Sequence, residues 1–217
     1  MTFYFGDLIP YIGPLLKGLG ISIYVTLAGM AAGSAIGILL YLAKVGSFKV
    51  LSVVSSGYIE IIRNTPLLVQ LYLLYFGLPA VGVQIDPLWA TLVGLTLNTA
   101  AYMAEIFRAG FNSVEDAQRE AATALGLSPV QAFRYVLFIP AVRNIFPAIT
   151  NQLILLFLFS SVASFISLDE LMNTVLDTGS HTARKFETLI VAGVLYYGVS
   201  ALFAATSKAG ERVMFKW

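Results

Sequence analysis

LGISIYVTLAGMAAGSAIGILLYLA, residues 19–43, runs without a single charged side chain. Crossing the hydrocarbon core of a bilayer takes about 20 residues of helix, so this stretch alone is long enough to span a membrane. Four more stretches repeat the pattern. Residues 66–83, 88–104, 145–168 and 188–207 contain no Asp, Glu, Lys or Arg. Composition agrees: 58% of the 217 residues are apolar and 12% are charged, about half the charged share of a soluble domain. A globule of this size cannot bury that much apolar surface. The expected fold is an all-α membrane protein, one domain over residues 1–217 with five transmembrane helices.

Short loops rich in Lys and Arg stay in the cytoplasm. Lys44, Lys49, Arg63, Arg108, Arg119, Arg134, Arg143, Lys208, Arg212 and Lys216 fall on one side of the five stretches, and Lys17, Arg184 and Lys185 on the other. That excess predicts an N-terminus outside and a C-terminus in the cytoplasm. The outer loops then carry Asp7, Asp86, Asp169, Glu170, Asp177 and Glu187, and Trp89 and Trp217 fall near the interfaces. The first residues lack the basic region of a cleaved signal, so the first span is expected to insert uncut. A net charge of +1, without a basic stripe among aromatics, gives no sign of a nucleic-acid partner. With no cysteine and one histidine, disulfides and thiol catalysis are excluded and a transition-metal site lacks material. Five spans are an odd number for a transporter built of two repeats. Such a chain is expected to supply half of a pore and to pair with a second copy or a related subunit.

Between the third and fourth stretches the sequence is too polar to span and too patterned for a linker. Glu115 and Asp116 suit the first turn of a helix, and residues 117–125 (AQREAATAL) are nearly all helix formers. Gly126 stands where a glycine ends a helix. Ser128, Pro129 and Gln131 have the spacing of a capping box with proline at the first helical position. Pro140 and Pro147 flank the start of the fourth span. The pattern predicts two short helices joined by a sharp turn, over about residues 112–140. Periodicity alone leaves two readings, an amphipathic connector on the inner leaflet or a rigid docking knob.

The stretch EAATALGLSPVQAFRYVLFIPAV, residues 120–142, resembles the cytoplasmic loop of permease subunits of bacterial binding-protein-dependent ABC importers. Glu120, Ala121, Ala122 and Gly126 match that signature, while Ile139 stands before Pro140 where the family usually has Leu. YIEIIRNTPLLVQLYLLYFGLP (58–79) and NTAAYMAEIFRAG (98–110) look like segments of the polar amino acid uptake subfamily. The resemblance implies that Glu120, Ala121, Ala122, Gly126 and Ser128 belong to a coupling helix seated on an ATPase subunit. It also implies partners: a second permease subunit, the same or homologous, two ATP-binding subunits and an extracytoplasmic solute-binding protein. The setting it implies is the bacterial cytoplasmic (inner) membrane. No phosphate-binding loop occurs in this chain, so ATP and Mg²⁺ are expected on the partner, no cofactor here, and no enzymatic activity of its own.

Polar side chains inside spans are costly and mark candidate function. Asn98, Gln70, Asn151, Ser160 and Ser161 are the candidates for a substrate pathway, with Gln152 and Ser164 beside them. Asn98 lies mid-span and either touches solute or makes an interhelical hydrogen bond. Ser160 and Ser164 have the spacing of one helical face, although serines also bond their own backbone. Where many amino acid permeases read Lys-Asp in the fourth span, this chain has Leu158 and Phe159, leaving either the sister subunit or the external binding protein to select the solute. Glu105 with Arg108, and Glu60 with Arg63, are three apart at inner span ends and read as ion pairs, structural or gating. Pro66 predicts a helix break. Gly29, Gly33 and Gly37 form a smooth stripe for close helix packing, expected within the subunit. His181 reads as a solvated loop residue. The reading with most support is the permease of an ATP-driven importer of amino acids or related small polar solutes. The alternative is a nucleotide-independent secondary transporter or channel, which needs ionisable groups inside the spans that the five stretches lack. A membrane-embedded enzyme has no catalytic constellation to work with.

Overall fold

The computed structural model describes residues 3–114 and 116–214, apart from the side chains of Asp116 and Arg119. The expectations placed on Glu115, Lys216 and Trp217, and on the charges of Asp116 and Arg119, lie outside the described residues. All secondary structure among the described residues is helical. A 3-10 turn over Gly6–Tyr11 leads into α1 (Ile12–Val45), 34 residues long and so about 50 Å from end to end. α2 (Lys49–Arg63) and α3 (Leu67–Tyr72) follow, and α3 runs on through Leu73–Gly77 and Leu78–Val81 to a left-handed Gly82 at φ 85°. Next come α4 (Pro87–Asn112), α5 (Asp116–Ala124), α6 (Pro129–Ala132), α7 (Phe138–Phe159), α8 (Leu171–Thr182) and α9 (Lys185–Met214).

Three helical runs are long and apolar enough to cross a membrane: Gly6–Val45, Pro129–Ile166 and Lys185–Met214. Lys49–Arg63 and Leu67–Val81 make a fourth when taken as one span bent by 104°. The second expected span, residues 66–83, is therefore one arm of a broken pair. The expected third span falls within α4, which is not among the runs that pass on apolarity. The reason lies in its position. Thr91, Asn98 and Thr99 of α4 are all buried, so these polar side chains face neighbouring helices, and a helix lined by protein needs less apolar surface than one lined by lipid.

α1 lies along α4 because its glycine stripe lets the backbones meet. A methyl group at Gly33 would come within 2.6 Å of Thr99 Cβ, and one at Gly37 within 2.6 Å of Met103 Cβ and 3.0 Å of the Ala100 carbonyl. The stripe packs within the chain, as expected. Val25, Met30, Leu71, Leu95, Met103 and Leu156 form the core shared by α1, α3, α4 and α7. A second cluster, Leu15, Leu171, Val175 and Ala192, joins α1, α8 and α9. Only 11% of the most apolar window of α9 is buried, which puts this helix on the rim of the bundle.

The segment between α4 and α7 differs from expectation in one respect. α5 ends as predicted, but α6 is not a separate short helix. It continues through a wide turn at Phe133–Leu137 into α7, forming one rod over Pro129–Ile166. Pro140 explains the wide turn. Its ring crowds the carbonyl four residues back, and the widened turn, in which Phe138 N–H donates to the Phe133 carbonyl, makes room without ending the helix.

Candidate functional site

The break between α2 and α3 follows from Pro66. Proline has no N–H to return to the carbonyl four residues back, which here is Ile62. The side chains around the break fill that gap. Gln70 Nε2 donates to the Ile62 carbonyl at 2.9 Å and to Thr65 O and Oγ1 at 3.1 and 2.9 Å. Thr65 Oγ1 donates to Ile61 O at 2.9 Å, and Asn64 Nδ2 to Glu60 O at 2.8 Å. The carbonyls that end α2, which have no partner within the helix, are thus satisfied by the residues that bend the chain.

Two adjacent residues of α4 fix this joint to the core. Asn98 Nδ2 donates to Gln70 Oε1 at 3.2 Å, and Tyr58 Oη donates to the Leu97 carbonyl at 2.7 Å. Asn98 is 4% exposed, so in this conformation it serves an interhelical bond rather than an open path. Gln70 and Asn98, two of the expected pathway residues, are brought together; the others are not. Asn151 is exposed on α7. Ser160 and Ser161 sit in a 3-10 segment, Ser160–Ile166, and donate to the carbonyls of Phe157 and Leu158, both at 2.7 Å. Ser164 does the same to Ser161 O. The shared face expected for Ser160 and Ser164 is absent, because a 3-10 helix brings residues three apart into line. The buried row is instead Ser160, Ala163 and Ile166.

A charge cluster lies where the uncharged runs stop. Glu105 Oε1 takes Lys44 Nζ at 2.7 Å, and Oε2 takes Arg108 Nη2 at 2.8 Å and lies 3.6 Å from Arg63 Nη1. Arg63 is therefore paired with Glu105 rather than with Glu60, correcting the expected i,i+3 pair. Among the described residues no ion pair reaches Glu60, and Arg63, the last residue of α2, faces α4, where it also lies over the Tyr102 ring at 5.4 Å. The Arg108 hydrogen bond and then Lys44 hold the Glu105 carboxyl down at about 2, against burial, which pushes it up. Sequence spacing could find Arg108; Lys44, 61 residues away, it could not.

At the opposite end of the bundle Glu170 is fully buried, not an outer-loop charge. It caps α8, accepting from the N–H groups of Met172 and Asn173 at 2.9 and 2.8 Å, and it takes Ser22 Oγ and Tyr196 Oη at 3.1 Å each. One carboxylate thereby ties α1, α8 and α9. Burial pushes its carboxyl above the ordinary value, and the hydrogen bonds pull it back. An acidic residue just ahead of a helix is a readable cap signal; its distant partners are not. His181 is exposed, 3.3 Å from Asp177, and among the described residues no cluster of His, Asp or Glu could hold a metal.

The α5 turn has the caps that its sequence spells out. Gly126 adopts φ 71°, its N–H donates to Thr123 O at 2.9 Å, and Leu127 N–H donates to Ala122 O at 3.1 Å, the paired bonds of a left-handed helix stop. Ser128 and Gln131 form the reciprocal capping box. Ala122 is buried beneath the turn, while Glu120, Ala121, Gly126 and Ser128 stand exposed. The result is a small protrusion with a fixed backbone.

Residues 20–208 match the family described as binding-protein-dependent transport system inner membrane component. Over 98% of its length the chain is 38% identical to the arginine transport system permease protein ArtQ of Bacillus subtilis (strain 168), covering 97% of that protein. It is 32% identical to the putative glutamine transport system permease protein GlnP of Rickettsia bellii (strain RML369-C), with 91% of each chain covered. Among solved structures it is similar to an amino acid ABC transporter crystallised with histidines, at TM-score 0.92 and 36% identity over 98% of this chain and 99% of that one. A methionine ABC transporter in an inward-facing conformation matches at TM-score 0.70 and 23% identity, over 93% and 98%, a likeness of fold.

Proposed function

The chain belongs to the binding-protein-dependent transport system inner membrane component family, and from that premise we propose that it is the permease subunit of an ATP-driven importer of amino acids or related small polar solutes. The observation that carries this reading is likeness along the whole chain, to amino acid permeases in sequence and to an amino acid ABC transporter in structure. The solute class comes from those relatives' names; the individual amino acid stays open.

The chain crosses the membrane five times, with α4 as the interior helix and the second crossing beginning at the Pro66 break, its N-terminus outside and its C-terminus in the cytoplasm. Two permease chains form the pore, and two ATP-binding subunits, which hold ATP and Mg²⁺, dock on the protrusion at Glu120, Ala121, Ala122, Gly126 and Ser128. An external binding protein delivers solute. The fixed backbone of that protrusion supports a docking role, since a contact that transmits force must not yield. The continuous rod from α6 into α7 supports it as well, because a push on the turn is a push on a 38-residue helix. The break at Pro66, braced by Gln70 and Asn98, is where the bundle can bend, as broken helices in transporters do where they line a cavity. Asn151, Ser160 and Ser161 are retained as pathway candidates for another conformation, and the Glu105 cluster as the latch of the closed inner end.

The test is uptake into proteoliposomes holding this chain, its sister permease if one exists, and the ATP-binding subunits. With binding protein outside and ATP inside, labelled amino acid accumulates against its gradient. Equal uptake after ATP is replaced by ADP, or without the ATP-binding subunits, contradicts the proposal and favours a carrier or channel.

A further inference from the structure

We infer that the cavity between the ends of α2, α4 and α7 is a binding site for a phosphate-bearing anion, with Arg63 and Arg108 as its cationic ligands. The inference rests on the chain spanning a membrane and is independent of the solute carried. The cavity measures about 520 Å³, and Arg63, Tyr102, Glu105, Arg108 and Asn144 supply its polar wall. Charge count is the first support. Arg63 and Arg108 line the cavity together with the single carboxylate of Glu105, an excess of one positive charge. Lys44, which also pairs with Glu105, and Glu60 line the adjoining space of about 360 Å³, and counting both leaves the excess at one. Like charges gathered in this way favour a further anion.

Donor geometry is the second support. Arg108 spends Nε and Nη2 on Glu105, at 3.0 and 2.8 Å, and keeps Nη1. Arg63 is no closer than 3.6 Å to that carboxylate and is held over the Tyr102 ring, so most of its planar fork remains for an oxyanion. Such forks match phosphate oxygens in pairs. Asn144 Nδ2 gives one hydrogen to Ser113 Oγ at 2.8 Å and has a second. Ile106, Ala109 and Ala148 supply an apolar wall beside these donors.

Depth in the bundle is the third. Lys44 directly follows the uncharged run 19–43, Glu105 directly follows 88–104, and Arg63 stands just before 66–83. The cluster therefore lies where hydrocarbon gives way to headgroups, on the side that the basic residues assign to the cytoplasm. Basic pockets between helices at that depth suit anionic lipid headgroups. A phospholipid phosphate and a free phosphate ion present the same chemistry to these donors, and the experiment separates them.

The complex purified with its ATP-binding subunits is titrated in neutral detergent with phosphatidylglycerol, with phosphatidylcholine, and with inorganic phosphate at constant ionic strength. Melting temperature and lipid retained by native mass spectrometry are read. Phosphatidylglycerol raises the melting temperature of the wild type and phosphatidylcholine does not. Arg63→Gln weakens the apparent affinity about fivefold, the effect of one basic residue near an anionic surface, whereas Arg143→Gln, exposed and outside the cavity, leaves it unchanged. Asn144→Leu removes a donor without touching the ion pairs and also weakens binding, so the site stays testable if Arg63→Gln does not fold. Inorganic phosphate matching the lipid effect assigns the site to the free ion, and its failure to do so assigns it to the lipid. The inference is overturned if neither phosphate species stabilises the wild type, or if Arg63→Gln and Asn144→Leu bind as the wild type does.

Discussion

Glu105 and Glu170 stand at opposite ends of the bundle and respond to pH with opposite sign. Arg108 and then Lys44 lower the Glu105 carboxyl, so its contribution to stability is present above the ordinary glutamate value of 4.5 and is lost as pH falls toward about 2. Burial raises the Glu170 carboxyl, so its contribution is present below 4.5 and is lost as pH rises through the raised value. Purified Glu170→Gln is predicted to lose the decline in melting temperature that the wild type shows on that rise; an identical profile in both proteins contradicts the assignment. Gln70 poses a different question, because it satisfies the Ile62 carbonyl that Pro66 leaves free and also accepts from Asn98. Gln70→Leu is predicted to cost about 1 kcal/mol, the net worth of a typical hydrogen bond, because Thr65 Oγ1 still reaches the half-buried Ile62 carbonyl at 3.3 Å. Combined with Asn98→Leu, the loss is predicted to fall short of the sum, by about 0.6 kcal/mol, as is usual for bonds between membrane helices. Strict additivity in denaturant titrations removes the bond from the account. Both polar residues stood out in the sequence against an apolar background. That they serve each other did not, since 28 residues separate them and only the bend brings them together.

At the scale of elements, local chemistry was readable and long-range partnership was not. Gly126, Ser128, Pro129 and Gln131 spell a helix stop followed by a helix start, and all four act as spelled, because caps depend on neighbours within a few residues. Pro66 likewise announced its break. The continuation of α6 into α7 was hidden, because Pro140 reads as a stop and the wide turn that accommodates it leaves no mark in the sequence. The serines of the 3-10 segment were misplaced for a related reason: their spacing was read with the period of the wrong helix. The turn at Gly126 supports a prediction of its own. A left-handed backbone costs a residue with a side chain about 1–2 kcal/mol, and a β-branched one is the worst fit. Gly126→Val is predicted to insert and assemble normally while ATP hydrolysis no longer tracks uptake. Normal coupling in that variant argues against the protrusion as the docking contact.

For the whole molecule, apolarity alone identified a membrane protein. Three helices pass as spans by composition, and the bent pair makes a fourth. α4 falls below that measure because polar residues, Asn98 among them, are buried on its protein-facing sides, so an interior helix looks less like a span than one on the rim. The family, by contrast, was legible from short blocks such as residues 120–126 and 58–79, and likeness over nearly the whole chain bears it out. The solute was not legible, since Leu158 and Phe159 put no charge where the resemblance led one to be expected. The central claim is that transport here is driven by ATP hydrolysis on a partner and begins with a loaded binding protein. It is tested most directly by the ATPase rate of the reconstituted complex, with and without binding protein loaded with each candidate amino acid. The account predicts a low basal rate and a severalfold rise with one loaded binding protein. A rate indifferent to every loaded binding protein, with solute crossing the membrane all the same, contradicts it.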